Sequence, residues 1–296
     1  MMAGAPDRLL LRLEWQVVRR LDGRVLGAYR TPYRGSGLDF AGLRGYVETD
    51  DARRIDWNAT ARLDEPQVRQ FTEDRELTLW LVLDRTASMT VGVPGRGKHD
   101  VLAELALVLA RLFGRGGNRV GAVLHDGAAT RIVPPATGRG QVLRIGHELA
   151  RTATAPPKAG TTDVAAMLGT AARLARRRSL IIVISDFIGT AGWDRPLLRL
   201  AHRHEVVALR VVDAADDALP EVGLVLVEDT ETGEQLLVDS GDPLLRARLS
   251  DAVAEREADL AGRMRRAGVP LHRIDTDRDL LPALAGVAAS TRWRRT

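Results

Sequence analysis

The chain has 296 residues, 45% hydrophobic and 28% charged, enough apolar material for a sizeable core and too much to leave long tracts disordered. It contains no cysteine, which excludes disulfides, thiolate catalysis and cysteine-ligated zinc or iron–sulfur centres. Its formal charge of +4 comes almost wholly from arginine, since Lys98 and Lys158 are the only lysines; the arginines alternate with acids and aromatics make up only 4%, a poor match to a nucleic-acid surface with stacking side chains.

In chain order, residues 9–21 have the spacing of an amphipathic helix, and residues 23–51 are rich in glycine and turn formers. A run dense in Arg, Asp, Trp and Asn follows, Asp50-Asp51-Ala52-Arg53-Arg54-Ile55-Asp56-Trp57-Asn58-Ala59-Thr60-Ala61-Arg62. These first residues, 1–75, read as a small accessory module. Arginine–carboxylate forks among Arg53, Arg54, Asp56 and Arg62, with a buried Trp57, would lock it to the rest of the chain; docking of a partner is the other reading of the same run.

From residue 76 to 290 the pattern changes to alternating strands and helices. Apolar runs at 77–83, 119–124, 180–184, 205–211 and 270–274 predict strands, and 100–113, 140–149, 164–177, 194–202 and 243–267 predict helices. Such alternation predicts an α/β fold, a doubly wound and mostly parallel sheet covered on both faces. Asp242-Pro243 supplies a cap and first-turn proline for the long last helix, and Gly268 a C-terminal cap. One segment breaks the alternation: apolar runs around a polar, Gly-bearing loop over 222–239 predict a β-hairpin that extends the sheet edge or projects from it.

The first of these strands leads directly into Asp84-Arg85-Thr86-Ala87-Ser88. Asp, Thr and Ser at alternate positions can turn their oxygens toward one point at the carboxyl end of the strand, where open α/β sheets bind ligands. Two further donors stand at the ends of other elements: Thr162, just before a predicted helix opened by Asp163, and Asp186, just after the strand at 180–184. An all-oxygen set of this kind suits a hard divalent cation, Mg²⁺ first, with Mn²⁺ or Ca²⁺ as alternatives.

Asp84, Thr86, Ser88, Thr162 and Asp186 resemble the metal-ion-dependent adhesion site of von Willebrand factor A domains, with Thr86 where serine is usual. The resemblance implies a Rossmann-type, von Willebrand factor A-like core in which Ser88, Thr86 and Thr162 contact the ion and Asp84 and Asp186 hold it through waters. The stretch from Gly37-Leu38-Asp39-Phe40 through Arg62, together with Ser185-Asp186-Phe187 and Leu219-Pro220-Glu221-Val222-Gly223-Leu224, resembles the bacterial "domain of unknown function 58" family. That likeness implies a non-catalytic binding protein, partner to a MoxR-type AAA+ ATPase or its client, joined through a carboxylate supplied by the partner.

Two other readings are open to these residues. Gly92-Val93-Pro94-Gly95-Arg96-Gly97-Lys98-His99 spells a phosphate-binding loop up to its last position, where His99 replaces the hydroxyl that should hold Mg²⁺; it reads as a loop ending in a helix start. A metal-dependent phosphoesterase built on Asp84 and Asp186 would need a base, for which His125 with Asp126, or His202 and His204, are the available candidates. Absence of a leader pattern and of roughly 18 unbroken apolar residues predicts a cytoplasmic protein without a membrane span.

Overall fold

The computed structural model describes residues 39–47, 50–72, 77–92, 96–115, 117–153, 162–229, 233–280 and 284, so the helix expected at 9–21 lies outside the described residues. The chain divides into two compact units, one within Leu26–Glu76 and the other within Leu77–Arg292.

In the smaller unit, β1 (Asp39–Gly45) pairs antiparallel with β2 (Gln67–Thr72), with a register shift between Phe40 and Gly42. Between them a 3₁₀ turn (Ala52–Arg54) and helix α1 (Trp57–Leu63) use the acidic residues as caps. Asp51 accepts from the Arg53 amide at 3.0 Å, and Asp56 from the amides of Asn58 and Ala59 at 3.0 and 3.1 Å, satisfying donors that a helix start leaves open. Among the described residues Arg44 forms a fork with Asp50, with Nη1 2.6 Å from Oδ2. Trp57 does not fill a core: it is 69% exposed, in the first turn of a seven-residue helix, capped by Asp56, that buries none of its residues.

The larger unit is built on a six-stranded sheet in the order β10-β7-β6-β3-β4-β5. Its strands are β3 (Thr78–Asp84), β4 (Arg119–His125), β5 (Thr130–Ala136), β6 (Leu180–Ser185), β7 (Glu205–Val212) and β10 (Leu271–Asp275). All neighbours are parallel except β4 and β5. The doubly wound, mostly parallel α/β architecture expected from the sequence is therefore what forms. The continuous apolar runs of β3 and β6 are its buried centre: Leu79, Leu81, Val82 and Leu83, and every residue from Leu180 to Ser185, are buried.

The helices are α2 (Lys98–Arg115), α3 (Arg139–Ala153), α4 (Val164–Leu174), α5 (Asp194–Arg203), the short α6 (Ala214–Asp217) and α7 (Pro243–Ala267). On one face Trp80, Val82, Ile181, Val183 and Ala208 pack with Met167 and Leu168 of α4, Leu197 and Leu200 of α5, and Leu260 and Met264 of α7. Alternation turns Leu79, Leu81 and Leu83 to the opposite face, which receives α2 through Leu102, Leu105 and Leu109. The long helix ends as its sequence signals: Asp242 caps the Leu244 amide at 2.8 Å, and Gly268 at φ 66° receives the chain in the left-handed region.

One strand lies outside the sequence expectations. Strand β5 carries Pro134 and Pro135, which argue against a strand, yet it sits at the sheet edge and its ladder with β4 shifts register at these two residues, pairing Val120 with Ala136 and Ala122 with Val133. The hairpin of β8 (Leu224–Glu228) and β9 (Gln235–Asp239) forms as expected but as a separate two-stranded sheet, with Leu224, Leu226, Leu236 and Leu237 each more than 60% exposed.

Trp80 is possible in the middle of the sheet because its partner across β4 is Gly121. A Cβ added at Gly121 would lie 2.9 Å from the Trp80 ring and 3.0 Å from Pro135. Gly121→Val should therefore destabilise the protein by about 2 kcal/mol through overpacking, read as a lower urea midpoint with an unchanged m-value.

Candidate metal centre

The connections leave β3 and β6 in opposite directions, β3 toward β4 and β6 toward β7, so the cleft beyond these two neighbouring strand ends is the switch point of the sheet. Both strands deliver a polar group there. Parallel pairing places Leu83 beside Ile184, so Asp84 and Ser185 emerge side by side, and Ser185 Oγ donates to Asp84 Oδ2 at 2.6 Å. The other carboxylate oxygen, Oδ1, accepts from the Thr86 amide at 3.0 Å and from Thr86 Oγ1 at 2.6 Å.

The remaining hydroxyls continue from Thr86. Thr162 Oγ1 donates to Thr86 Oγ1 at 2.7 Å, and Ser88 Oγ lies 3.3 Å from the same atom. Asp84, Thr86, Ser88 and Thr162 are thus brought together as one connected set of oxygens. Asp186 stands at the next strand end, with Oδ1 accepting from the Ile188 amide at 3.0 Å and Oδ2 facing Lys98 Nζ at 3.0 Å. None of the five is more than 5% exposed.

The position of Thr162 depends on two residues that sequence reasoning missed. The Thr190 amide and hydroxyl donate to the Thr162 carbonyl at 3.0 and 3.2 Å. Gly189, at φ 149°, passes so close that a Cβ there would lie 2.3 Å from that carbonyl oxygen, so only glycine fits.

Burial dominates the electrostatics. It pushes the Asp84 carboxyl up to about 6, reinforced by the Asp186 charge and opposed by the hydrogen bonds from Ser185 and Thr86. Lys98 is completely buried, and besides Asp186 its ammonium reaches Asp216 Oδ1 at 2.9 Å and Oδ2 at 2.8 Å. Behind it, Arg210 Nε donates to the Asp186 carbonyl at 3.2 Å while its guanidinium pairs with Glu257. Arg85, 4% exposed, is pulled down to about 10 by burial, against the charges of Asp100 and Asp84.

Only oxygens converge on the cluster, three hydroxyls and a carboxylate with a second carboxylate beside them, and this donor chemistry fits a hard divalent cation. Among the described residues no group of three or more His, Cys, Asp or Glu is arranged to hold a metal, so an ion here would depend on the hydroxyls.

The structure also disposes the other candidates. Lys98 opens α2, and its ammonium is taken by two carboxylates rather than offered to a phosphate. His202 and His204 lie at the amino end of β7, about 20 Å along the strands from Asp186. His125 ends β4 beside Asp84 in register, its Nδ1 3.0 Å from Thr130 Oγ1; Asp126 caps the amides of Ala128 and Ala129 at 3.1 and 2.6 Å. The one sequence sign of the Lys98 role is that an arginine-rich chain places one of its two lysines there.

Residues 42–259 match the family described as "Protein of unknown function DUF58". The chain belongs to the DUF58 family. An uncharacterized protein of Mycobacterium tuberculosis (strain H37Rv), Rv1480, is 40% identical over 286 residues, covering 96% of this chain and 89% of the relative. An uncharacterized protein of Mycobacterium avium is 35% identical over 162 residues, 54% of this chain and 94% of the relative. Among solved structures, this DUF58 chain is similar to the hypothetical protein BatB from Bacteroides thetaiotaomicron, at 15% identity and a TM-score of 0.44 over 73% of this chain and 100% of the other. It is also similar to the SpRpn10 VWA domain, at 15% identity and a TM-score of 0.39 over 72% and 94%. Among the described residues no helix is long and apolar enough to cross a membrane.

Because the folded Asp84 value of about 6 lies above the ordinary 3.8, folding favours its protonated form. That contribution is fully present below about pH 4 and is lost as pH rises through about 6. In chelator, wild type should therefore lose on the order of 3 kcal/mol relative to Asp84→Asn as pH rises from 4 to 8, as measured by urea denaturation of both proteins across that range.

Proposed function

We propose that this DUF58 chain is a protein-interaction module that works in the cytoplasm and binds a partner's carboxylate through a divalent cation held at the carboxyl edge of the sheet. The observation that carries this reading is the linked set of Asp84, Thr86, Ser88 and Thr162 oxygens at the switch point between β3 and β6. Thr86, Ser88 and Thr162 would hold the ion directly, and Asp84 and Asp186 from behind. When bound, a Mg²⁺ ion would offer a hard Lewis-acid position to an Asp or Glu oxygen.

The chain's own residues favour binding over turnover. The three inner donors are neutral hydroxyls, so they leave most of an ion's positive charge available to an outside anion. Ser185 and the Thr86 amide hold both Asp84 oxygens, which fixes the carboxylate as a support rather than a mobile base. The partner class that the family resemblance points to is a MoxR-type AAA+ ATPase or its client, with this chain acting in assembly or activation of other proteins.

Binding of the chain to a purified MoxR-type ATPase from the same organism tests this. The expected result is retention in Mg²⁺, loss in chelator and loss on Asp84→Ala. Equal retention in all three conditions rejects the metal bridge, and Mg²⁺- or Mn²⁺-dependent turnover of a generic phosphoester that vanishes in Asp84→Ala rejects a binding role in favour of a phosphoesterase.

A further inference from the structure

The ammonium of Lys98 stands where the site's charge is concentrated. It is the first residue of α2, immediately after the loop that carries Thr86 and Ser88, and it crosses to the Asp186 carboxylate at 3.0 Å and the Asp216 carboxylate at 2.8 Å. Lys98 and Asp186 side chains are each 1% exposed and Asp216 10%, so this pairing is shielded from water and salt. Burying a lysine is costly unless its charge is met by well-placed acceptors, and here two carboxylates meet it.

The surroundings are arranged to keep it so. Asp216 belongs to α6, where it takes part in a reciprocal cap: its Oδ2 accepts from the Asp213 amide at 2.9 Å, and Asp213 Oδ1 accepts from the Ala215 amide at 3.1 Å. The second Asp213 oxygen accepts from Thr276 Oγ1 at 2.7 Å. A four-residue helix between β7 and the hairpin thus presents one carboxylate to Lys98 while the Asp213 that caps it is held by Thr276, just past the end of β10.

We propose that Lys98 is a resident counter-ion for the metal centre: a fixed monovalent cation that keeps the Asp186 side charge-compensated with or without a divalent ion, and that holds the site's affinity for such an ion low. The inference rests on the metal reading above and goes beyond it. A divalent ion entering between Asp84 and Asp186 meets a carboxylate already paired, and a positive charge a few ångströms away opposes it. A site weakened in this way retains its ion firmly only when a further anion completes it, so the carboxylate of the bound partner becomes a condition of metal occupancy and not merely its consequence. Arg85 adds positive charge near Asp84, but among the described residues Lys98 is the one cationic side chain in direct contact with the Asp186 carboxylate, whose other oxygen accepts from the Ile188 amide.

The test compares wild type, Lys98→Met and Lys98→Arg, titrated with MgCl₂ and MnCl₂ by calorimetry, with thermal unfolding followed in chelator and at saturating Mg²⁺. Wild type should be folded in chelator, with a Tm that saturating Mg²⁺ raises only slightly. Lys98→Met should lose stability in chelator, recover it in Mg²⁺ and bind Mg²⁺ at least about tenfold more tightly than wild type; Lys98→Arg, which keeps the charge, should bind weakly like wild type. Adding Asp84→Ala to Lys98→Met should abolish the gain. If wild type itself unfolds in chelator, the counter-ion role is overturned even should Lys98→Met not fold. Equal Mg²⁺ affinity in wild type and Lys98→Met overturns it while leaving the metal centre standing, whereas no ion binding by either protein overturns both.

Discussion

Two neighbouring, buried strands lead into acids, and the cost of placing those charges out of water governs much of what surrounds them. Asp84 and Asp186 stand at the carboxyl ends of β3 and β6, close enough for one carboxylate to raise the other's proton affinity. Each oxygen of Asp84 accepts from a neighbouring hydroxyl or amide, and each oxygen of Asp186 from an amide or an ammonium. Such groups cannot be left unmet in an interior of low polarity. The position of α2, the turn through Thr86 and Ser88, and the short helix that carries Asp216 are the local solutions.

This explains how catalogue-like features of the sheet become specific. Any doubly wound sheet offers a cleft at its switch point; what distinguishes this one is a linked set of neutral hydroxyls beside buried, paired charges. Thr162 enters from a loop before α4 and is fixed by Gly189 and Thr190 from the segment after β6. The cleft is therefore assembled from three separate stretches of chain, and its geometry follows from the packing of the strands and helices that carry them.

Much of this was legible in the residues. The five parallel strands announced themselves because strands buried on both faces are continuous apolar runs, and the caps of α7 because Asp-Pro and Gly have few other uses at helix ends. Asp84, Thr86 and Ser88 were legible because alternate oxygens after such a run have one natural direction. Strand β5 was hidden by its two prolines, whose acceptability depends on an edge position that no local pattern reveals. Lys98 was hidden by a misleading context, since Gly-Arg-Gly-Lys imitates a phosphate loop and the carboxylates it meets lie 88 and 118 residues away. Trp57 misled in the opposite way: a tryptophan among arginines and acids suggested a buried lock, and the acids proved to be caps for a short helix that leaves the ring open.

The prolines of β5 have a consequence beyond their local fit. A sheet that stops at a regular strand presents a row of free amides and carbonyls on which another extended chain can grow. With Pro134 and Pro135 at a register shift in the outermost strand, the regular alternation of amide donors is interrupted there, and a polypeptide approaching side-on finds no complete ladder to extend. The sheet is thus terminated chemically on the β5 side, which guards an otherwise very apolar set of strands against polymerising through that border.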